Sequence, residues 1–231
     1  IGAGCHIHPH ASVLSGSRIG CNNEIFEGAI ISASPQDFRW NGENSFVEIG
    51  DNNKIREQVI INRSIYKDGK TCIGSNSFIM AQTHIGHDSV IGNYCVLGNA
   101  VKVAGDVKIG NYTILSSHAL VHEKCHVGEW VLIKGGCRVN GNVPPFTVMA
   151  HNPIAYFGVN AFVLKKSNKS DETIEDIAKC YRHVYQTSTS AFNALRRIYE
   201  DVDPSPEREQ IINFIESHDL KLAALPQIDH D

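Results

Sequence analysis

The chain has 231 residues, 21 Lys+Arg against 25 Asp+Glu, and a formal net charge of −4 at pH 7. That length suits one large domain, or one domain with an appendage, and the mildly acidic balance speaks against a sequence-independent nucleic-acid binder. Hydrophobic residues make up 42%, too many for a disordered chain, while no apolar run approaches the ~20 residues of a transmembrane helix. The seven cysteines lack paired CxxC spacing, which excludes a zinc ribbon and points to a reducing, intracellular compartment. With no secretory signal pattern after Ile1, the expected localisation is cytoplasmic.

Composition divides the chain in two. Of the 19 glycines, all but Gly158 lie at or before Gly141. The prolines Pro144, Pro145 and Pro153 mark a boundary, so the expected domains are 1–150 and 151–231.

The first part has an internal period of six. Ile1, Ile7, Val13, Ile19, Ile25 and Ile31 form one aliphatic row, and Ile49, Ile55 and Ile61 a second. A third runs from Ile73 through Ile79, Ile85 and Ile91 to Val139 without a break. Four residues after the aliphatic the side chain is small or β-branched, as at Ser77, Thr83, Ser89 and Cys95. Period six fits neither a helix nor a two-sided strand. It suits short strands joined by tight corners, one hexad per face and three faces per coil of 18 residues, with coils stacked about 4.8 Å apart. The predicted fold is an all-β left-handed parallel β-helix with a C-terminal α-helical domain. Cys5, Cys95, Cys125 and Cys137 fall in the small-residue column and read as stacked core thiols.

Residues 32–48 and 64–72 keep no hexad and are expected to leave the prism as loop excursions. After residue 150, Ser170 opens a helical stripe of Ile174, Ile177, Ala178, Tyr181 and Val184. A second helix is predicted over about 190–202, stopped by Asp203-Pro204-Ser205-Pro206, and a third carries Ile211, Ile212, Phe214 and Ile215. These helices are expected to cap the open end of the prism or to pack against those of a neighbouring subunit.

Five of twelve histidines fall between residues 84 and 126, all outside the inward column. Adding 18 places Gly105 one rung from His87, about 4.8 Å away. A bare backbone N–H beside an imidazole suits acyl transfer: the base takes a hydroxyl proton and the N–H stabilises the oxyanion. Asp88 is placed to orient the His87 ring. A zinc site would need His84, His87 and His122 to converge, whereas His122 is two rungs from Gly86, about 10 Å. His6, His8, His10, His151, His183, His218 and His230 read as ordinary surface residues.

With these residues in view, the chain resembles the acyl-carrier-protein–UDP-N-acetylglucosamine O-acyltransferases that begin lipid A synthesis. The resemblance covers nearly the whole chain and rests on PQDFRWNGENS (35–45), EIGDNNKIRE (48–57), HIGHDSVIGN (84–93), VPPFTVMA (143–150) and FGVN (157–160). The family's coils begin about two turns earlier. The resemblance implies His87 as general base, Asp88 as its acidic neighbour and Gly105 as the N–H near the thioester carbonyl. It implies Gln36, Asp37, His84 and His122 as substrate contacts, Gly136 as a limit on acyl length and Asn160 as a nucleotide-side contact. It also implies an acyl carrier protein as donor, a nucleotide sugar as acceptor, no cofactor, and a homotrimer whose subunits share the site.

The sequence departs from the family pattern at Glu123-Lys124, Phe162, Asp106 and Lys134. Lys166 stands in a stretch where the family carries paired arginines, a change that weakens phosphate forks. A paralogue acting on another nucleotide sugar therefore stays open. Lys165, Lys166, Lys169 and Arg182 read equally as a carrier-protein contact or a solvated face. Three other readings remain: an acetyl-CoA-dependent sugar acetyltransferase, a zinc enzyme like the γ-class carbonic anhydrases, and a non-catalytic trimer.

Overall fold

The aliphatic rows become the core of a prism because every sixth residue turns inward. In the computed structural model, which describes residues 1–187, 190–218 and 221–225, all twelve aliphatics from Ile73 to Val139 are at most 3% exposed. Each coil contributes one short strand to each of three sheets. The fourth coil, for example, holds Phe78–Ile79, His84–Ile85 and Val90–Ile91. The sheets have nine, seven and six strands, all parallel except the last pair of the first sheet. From residue 78 to residue 139 the register advances by 18, as in Phe78 to Val96 to Ile114 to Leu132. The chain thus forms the expected left-handed parallel β-helix.

The corners have a signature that hydrophobicity did not disclose. Every sixth residue from Asn76 to Trp130 has φ between +57° and +62°. Tyr94, Ala100 and Trp130 adopt this left-handed backbone although glycine would do so more readily. The small column packs inside beside the corners and meets its own polar needs. The hydroxyls of Thr83, Ser89 and Thr113 donate to carbonyls of the next coil at 3.1, 2.8 and 2.7 Å. Cys95, Cys125 and Cys137 are buried in this column, and burial pushes the Cys95 and Cys125 thiols up to about 11. Cys5 is only half-buried, its thiol donating to the Gly20 carbonyl at 3.1 Å.

The first sheet continues past residue 150, through Thr147–Ala150 and the antiparallel Ala155–Val159. Met149, Ile154 and Ala223 close the prism core at this end. Four helices follow: α1 (Ala161–Lys166), α2 (Asp171–Arg182), α3 (Ala191–Asp201) and α4 (Pro206–Ser217). Ser170, Ser190 and Ser205 cap α2, α3 and α4 by accepting backbone N–H bonds. Pro206, expected as a stop, is instead the first residue of α4, where its missing N–H costs nothing. The helices share a second core built on Phe146, Leu164, Tyr181, Ile198 and Ile211.

Two histidines read as surface residues take part in packing. His183 is 9% exposed in a π-helical turn, its Nε2 3.1 Å from Asp201 Oδ2. His218, at the end of α4, meets His126 of the prism at 2.5 Å. His230 lies outside the described residues.

Candidate active site

The site is assembled at one corner of the prism, between the second and third sheets. Both excursions leave from this corner. Ser17 pairs with Val47, 30 residues on, so 30 − 18 = 12 residues are inserted; Val47 pairs with Thr71, so 24 − 18 = 6 more are inserted in the next coil. In the fourth coil the same corner, between Ile85 and Val90, carries His87 and Asp88. In the fifth, between Val103 and Lys108, it carries Gly105. Stacking therefore brings residues 36, 64, 88 and 105 to one place although they lie far apart in sequence.

His87 is 8% exposed. Its Nδ1 lies 2.9 Å from Asp88 Oδ2 and its Nε2 3.3 Å from Asp37 Oδ2. The Asp88 carboxylate is itself held: Oδ1 accepts the Ser64 hydroxyl, and Oδ2 accepts the Ile65 N–H at 3.1 Å. The Asp88 N–H donates to the Thr71 hydroxyl at 2.8 Å. A carboxylate fixed this way selects the His87 tautomer with hydrogen on Nδ1, which leaves Nε2 as a base facing the cleft. The imidazole lies directly against Gly105, where a β-carbon would stand 2.4 Å from its Cε1 and Nε2. Among the described residues no hydrogen bond engages the Gly105 N–H.

The loop from 34 to 45 closes over this corner; residues 46–48 and 70–72, expected to leave the prism, are instead strand. Asp37 is gripped by Arg39, whose Nη2, Nε and backbone N–H donate to its carboxylate at 2.7, 3.0 and 2.8 Å. The Arg39 side chain, then its backbone N–H, hold the Asp37 carboxyl well below the usual range. Gln36, Asp37, His84, His87, Lys102 and Gly105 line one cleft of about 390 Å³. His84 faces Lys102 across the strand pair; burial, then Lys102 and His87, lower its pKa. Here an imidazole, an uncommitted N–H and a carboxylate held by Arg39 converge, a set suited to proton removal and oxyanion stabilisation.

The other candidates lie elsewhere within the chain. His122 accepts from Arg138 Nε at 3.2 Å and lines a second cleft of about 600 Å³ with Asn140, Asn152 and residues 222–225. The three histidines His84, His87 and His122 do not form a metal-capable cluster among the described residues. Gly136 is exposed, with φ +71° and open space around its α-carbon. Asn160 is 3% exposed and its amide nitrogen donates to the Trp130 carbonyl at 2.8 Å. Lys166, at the end of α1, places Nζ 4.4 Å over the Phe162 ring.

Comparison with known proteins decides the family. A family model described as Udp N-acetylglucosamine O-acyltransferase, Domain 2, matches residues 142–222, and a bacterial transferase hexapeptide model matches 71–105. An acyl-[acyl-carrier-protein]–UDP-N-acetylglucosamine O-acyltransferase from Pseudomonas putida is 37% identical over 81% of this chain and 73% of its own length. One from Gloeothece citriformis is 33% identical over 86% and 72%. The chain belongs to this O-acyltransferase family. A crystal structure of a UDP-N-acetylglucosamine acyltransferase from Bacteroides fragilis superposes with a TM-score of 0.92 at 39% identity, covering 98% of this chain and 94% of that one. The Arabidopsis enzyme superposes at 0.87 with 27% identity, covering 94% and 85%.

In this acyltransferase, sequence reasoning missed the residues that hold Asp37, His84 and Asp88 in place. Ser64 sits in the second excursion and Thr71 in the strand that follows it, Lys70–Ile73; broken periodicity marked the stretch without giving either residue a role. Arg39 sits two residues after Asp37, and the pair Asp-x-Arg was a readable signal. Lys102 was findable by adding 18 to His84.

Proposed function

We propose that the protein transfers a hydroxyacyl group from acyl carrier protein to the 3-position of UDP-N-acetylglucosamine or a related nucleotide sugar, the first step of lipid A synthesis. The observation that carries this reading is the His87 ring, fixed through Nδ1 by Asp88 and lying against Gly105. His87 Nε2 takes the proton of the acceptor 3-hydroxyl, and the oxygen attacks the thioester carbonyl. The developing oxyanion is met by the Gly105 N–H. The carbon–sulfur bond then breaks, and the His87 imidazolium returns its proton to the carrier thiolate. No cofactor enters the sequence of steps.

For the hydroxyl to reach Nε2, Asp37 has to give up its 3.3 Å approach to that nitrogen. Asp37 and Gln36 then serve as sugar contacts, and His84 as a neutral partner in the cleft. We assign the second cleft, with His122, to the substrate as presented by a neighbouring subunit of a trimer, and exposed Gly136 to the end of the acyl chain. Half-exposed Phe78, Val96, Ile114 and Leu132 form an apolar ladder on the outer face of the first sheet, which supports self-association. Asn160 and Lys166 are assigned to the nucleotide side, Asn160 through its carbonyl oxygen. Among the described residues no helix is long and apolar enough to cross a membrane. With carrier protein and nucleotide sugar as substrates, we place the enzyme in the cytoplasm.

The test is His87→Ala, assayed with hydroxyacyl carrier protein and with acetyl-CoA. Wild type is expected to use only the carrier donor. The variant is expected to lose about 10² to 10⁴-fold in turnover, with its mass by light scattering still that of a trimer. Retained activity, or preference for acetyl-CoA, overturns the proposal.

A further inference from the structure

We infer that His6, His8 and Glu24 form a binding site for a divalent transition-metal ion of borderline softness, for which zinc is the probe. The three side chains lie on the outer face of the first sheet, a different face from the catalytic corner. His6 and His8 flank Ile7 and so project on the same side of their strand. Glu24 stands opposite His6 in the next coil. One ligand atom from each falls within 4.8 Å of the others.

Without a metal, His8 and Glu24 are joined by a hydrogen bond, and the same geometry fits an ion placed between them. His8 Nε2 and Glu24 Oε1 are 3.2 Å apart, close to the roughly 3.4 Å edge of a tetrahedron with zinc bonds of about 2.0 to 2.1 Å. Glu27 Oε1 lies 3.4 Å from His8 Nδ1. A carboxylate on the far ring nitrogen fixes the tautomer and directs the other lone pair to the ion, the outer partner that metal-binding histidines usually have. The Phe26 ring stacks on His8 with centroids 4.4 Å apart and holds its plane. Lys54 Nζ, 3.6 Å away, takes the other carboxylate oxygen, Oε2, leaving Oε1 for the metal. His6 is exposed and stacks on His8 with ring centroids 4.4 Å apart, so turning its ring out of that stack would aim a nitrogen lone pair at the ion. Two imidazoles and one carboxylate select zinc, nickel or copper over magnesium or calcium. A bound ion would tie the first coil to the second.

The test uses untagged, chelator-stripped protein and a competition titration of zinc against a chromogenic chelator. Wild type is expected to hold one equivalent per chain, and His84→Ala with His122→Ala to hold it as well. His6→Ala combined with His8→Ala is expected to bind at least tenfold more weakly and to lose the zinc-induced rise in Tm. Glu24→Gln, which preserves shape, is expected to weaken binding similarly, and far-UV circular dichroism checks that each variant is folded. A wild type that holds no more zinc than the double variant, or an equivalent lost with His84 and His122 instead, overturns the assignment.

Discussion

A β-carbon on Gly105 would stand 2.4 Å from two atoms of the His87 ring, so the imidazole occupies space that only glycine leaves open. The glycine is required by the neighbouring side chain and not by its own backbone angle. Gly105→Ala is therefore expected to push the imidazole about 1 Å from its place against the N–H. Displacement of that size costs about 100-fold in rate. Steady-state kinetics are expected to show the loss in kcat, with acceptor KM and Tm little changed.

Asp88 and Ser64 form the next layer. Asp88 has φ +62°, a conformation asparagine accepts readily, so Asp88→Asn keeps the corner while removing the charge that orients His87. Turnover is expected to fall about tenfold or more. Ser64 is fully buried, and Ser64→Ala removes its hydrogen bond to the carboxylate, which is worth about 1.5 to 3 kcal/mol. Urea unfolding is expected to report that loss alongside a lower kcat.

Arg39 holds Asp37 ionised and in position. Arg39→Gln is expected to let the Asp37 carboxyl rise toward its ordinary range and to free the loop. Acceptor KM is then expected to increase about tenfold with a smaller change in kcat, since orientation is lost and not the base. Because the Asp37 pKa moves up, the acid-side loss of acceptor binding is expected to begin at a higher pH, which a pH series of KM checks.

His126 fastens the last helix to the prism. Its Nδ1 meets His218 Nε2 at 2.5 Å, and His218 Nδ1 meets the Phe214 carbonyl at 2.6 Å. That carbonyl requires a donor, so His218 Nε2 is the acceptor and His126 the donor. Burial, then His218 and Lys108 of the preceding coil, depress His126 to about 4. An unfolded histidine takes its proton near 6.5. Between those values the unfolded state binds more protons, so stability is expected to fall as pH drops from about 6.5 to about 4. Melting curves across that range are expected to flatten in His126→Gln.

The prism was legible in the sequence because burial acts on every coil alike. A residue that points inward at Ile73 points inward again six places on, and the aliphatic column records this twelve times. Helix starts were legible for the same kind of reason: Ser170 and Ser190 satisfy orphan N–H groups within three residues of themselves. The meeting of His87 with Gly105 was readable too, since 18 added to 87 gives Gly105.

What the tertiary structure alone decided is where the irregular pieces land. Insertions of 12 and 6 residues leave the hexad count untouched, yet they exit at the corner where His87 sits, bringing Asp37 to Nε2 and Ser64 to Asp88. Asn160 is likewise tied by its amide nitrogen to the carbonyl of Trp130, 30 residues away, a contact its motif did not announce. His126 and His218, 92 residues apart, carry no local trace of each other. A repeat writes its own geometry into the chain because each coil meets the same neighbours. A contact between a loop and a distant rung depends on how many coils lie between, and that sum is taken only when the chain is wound.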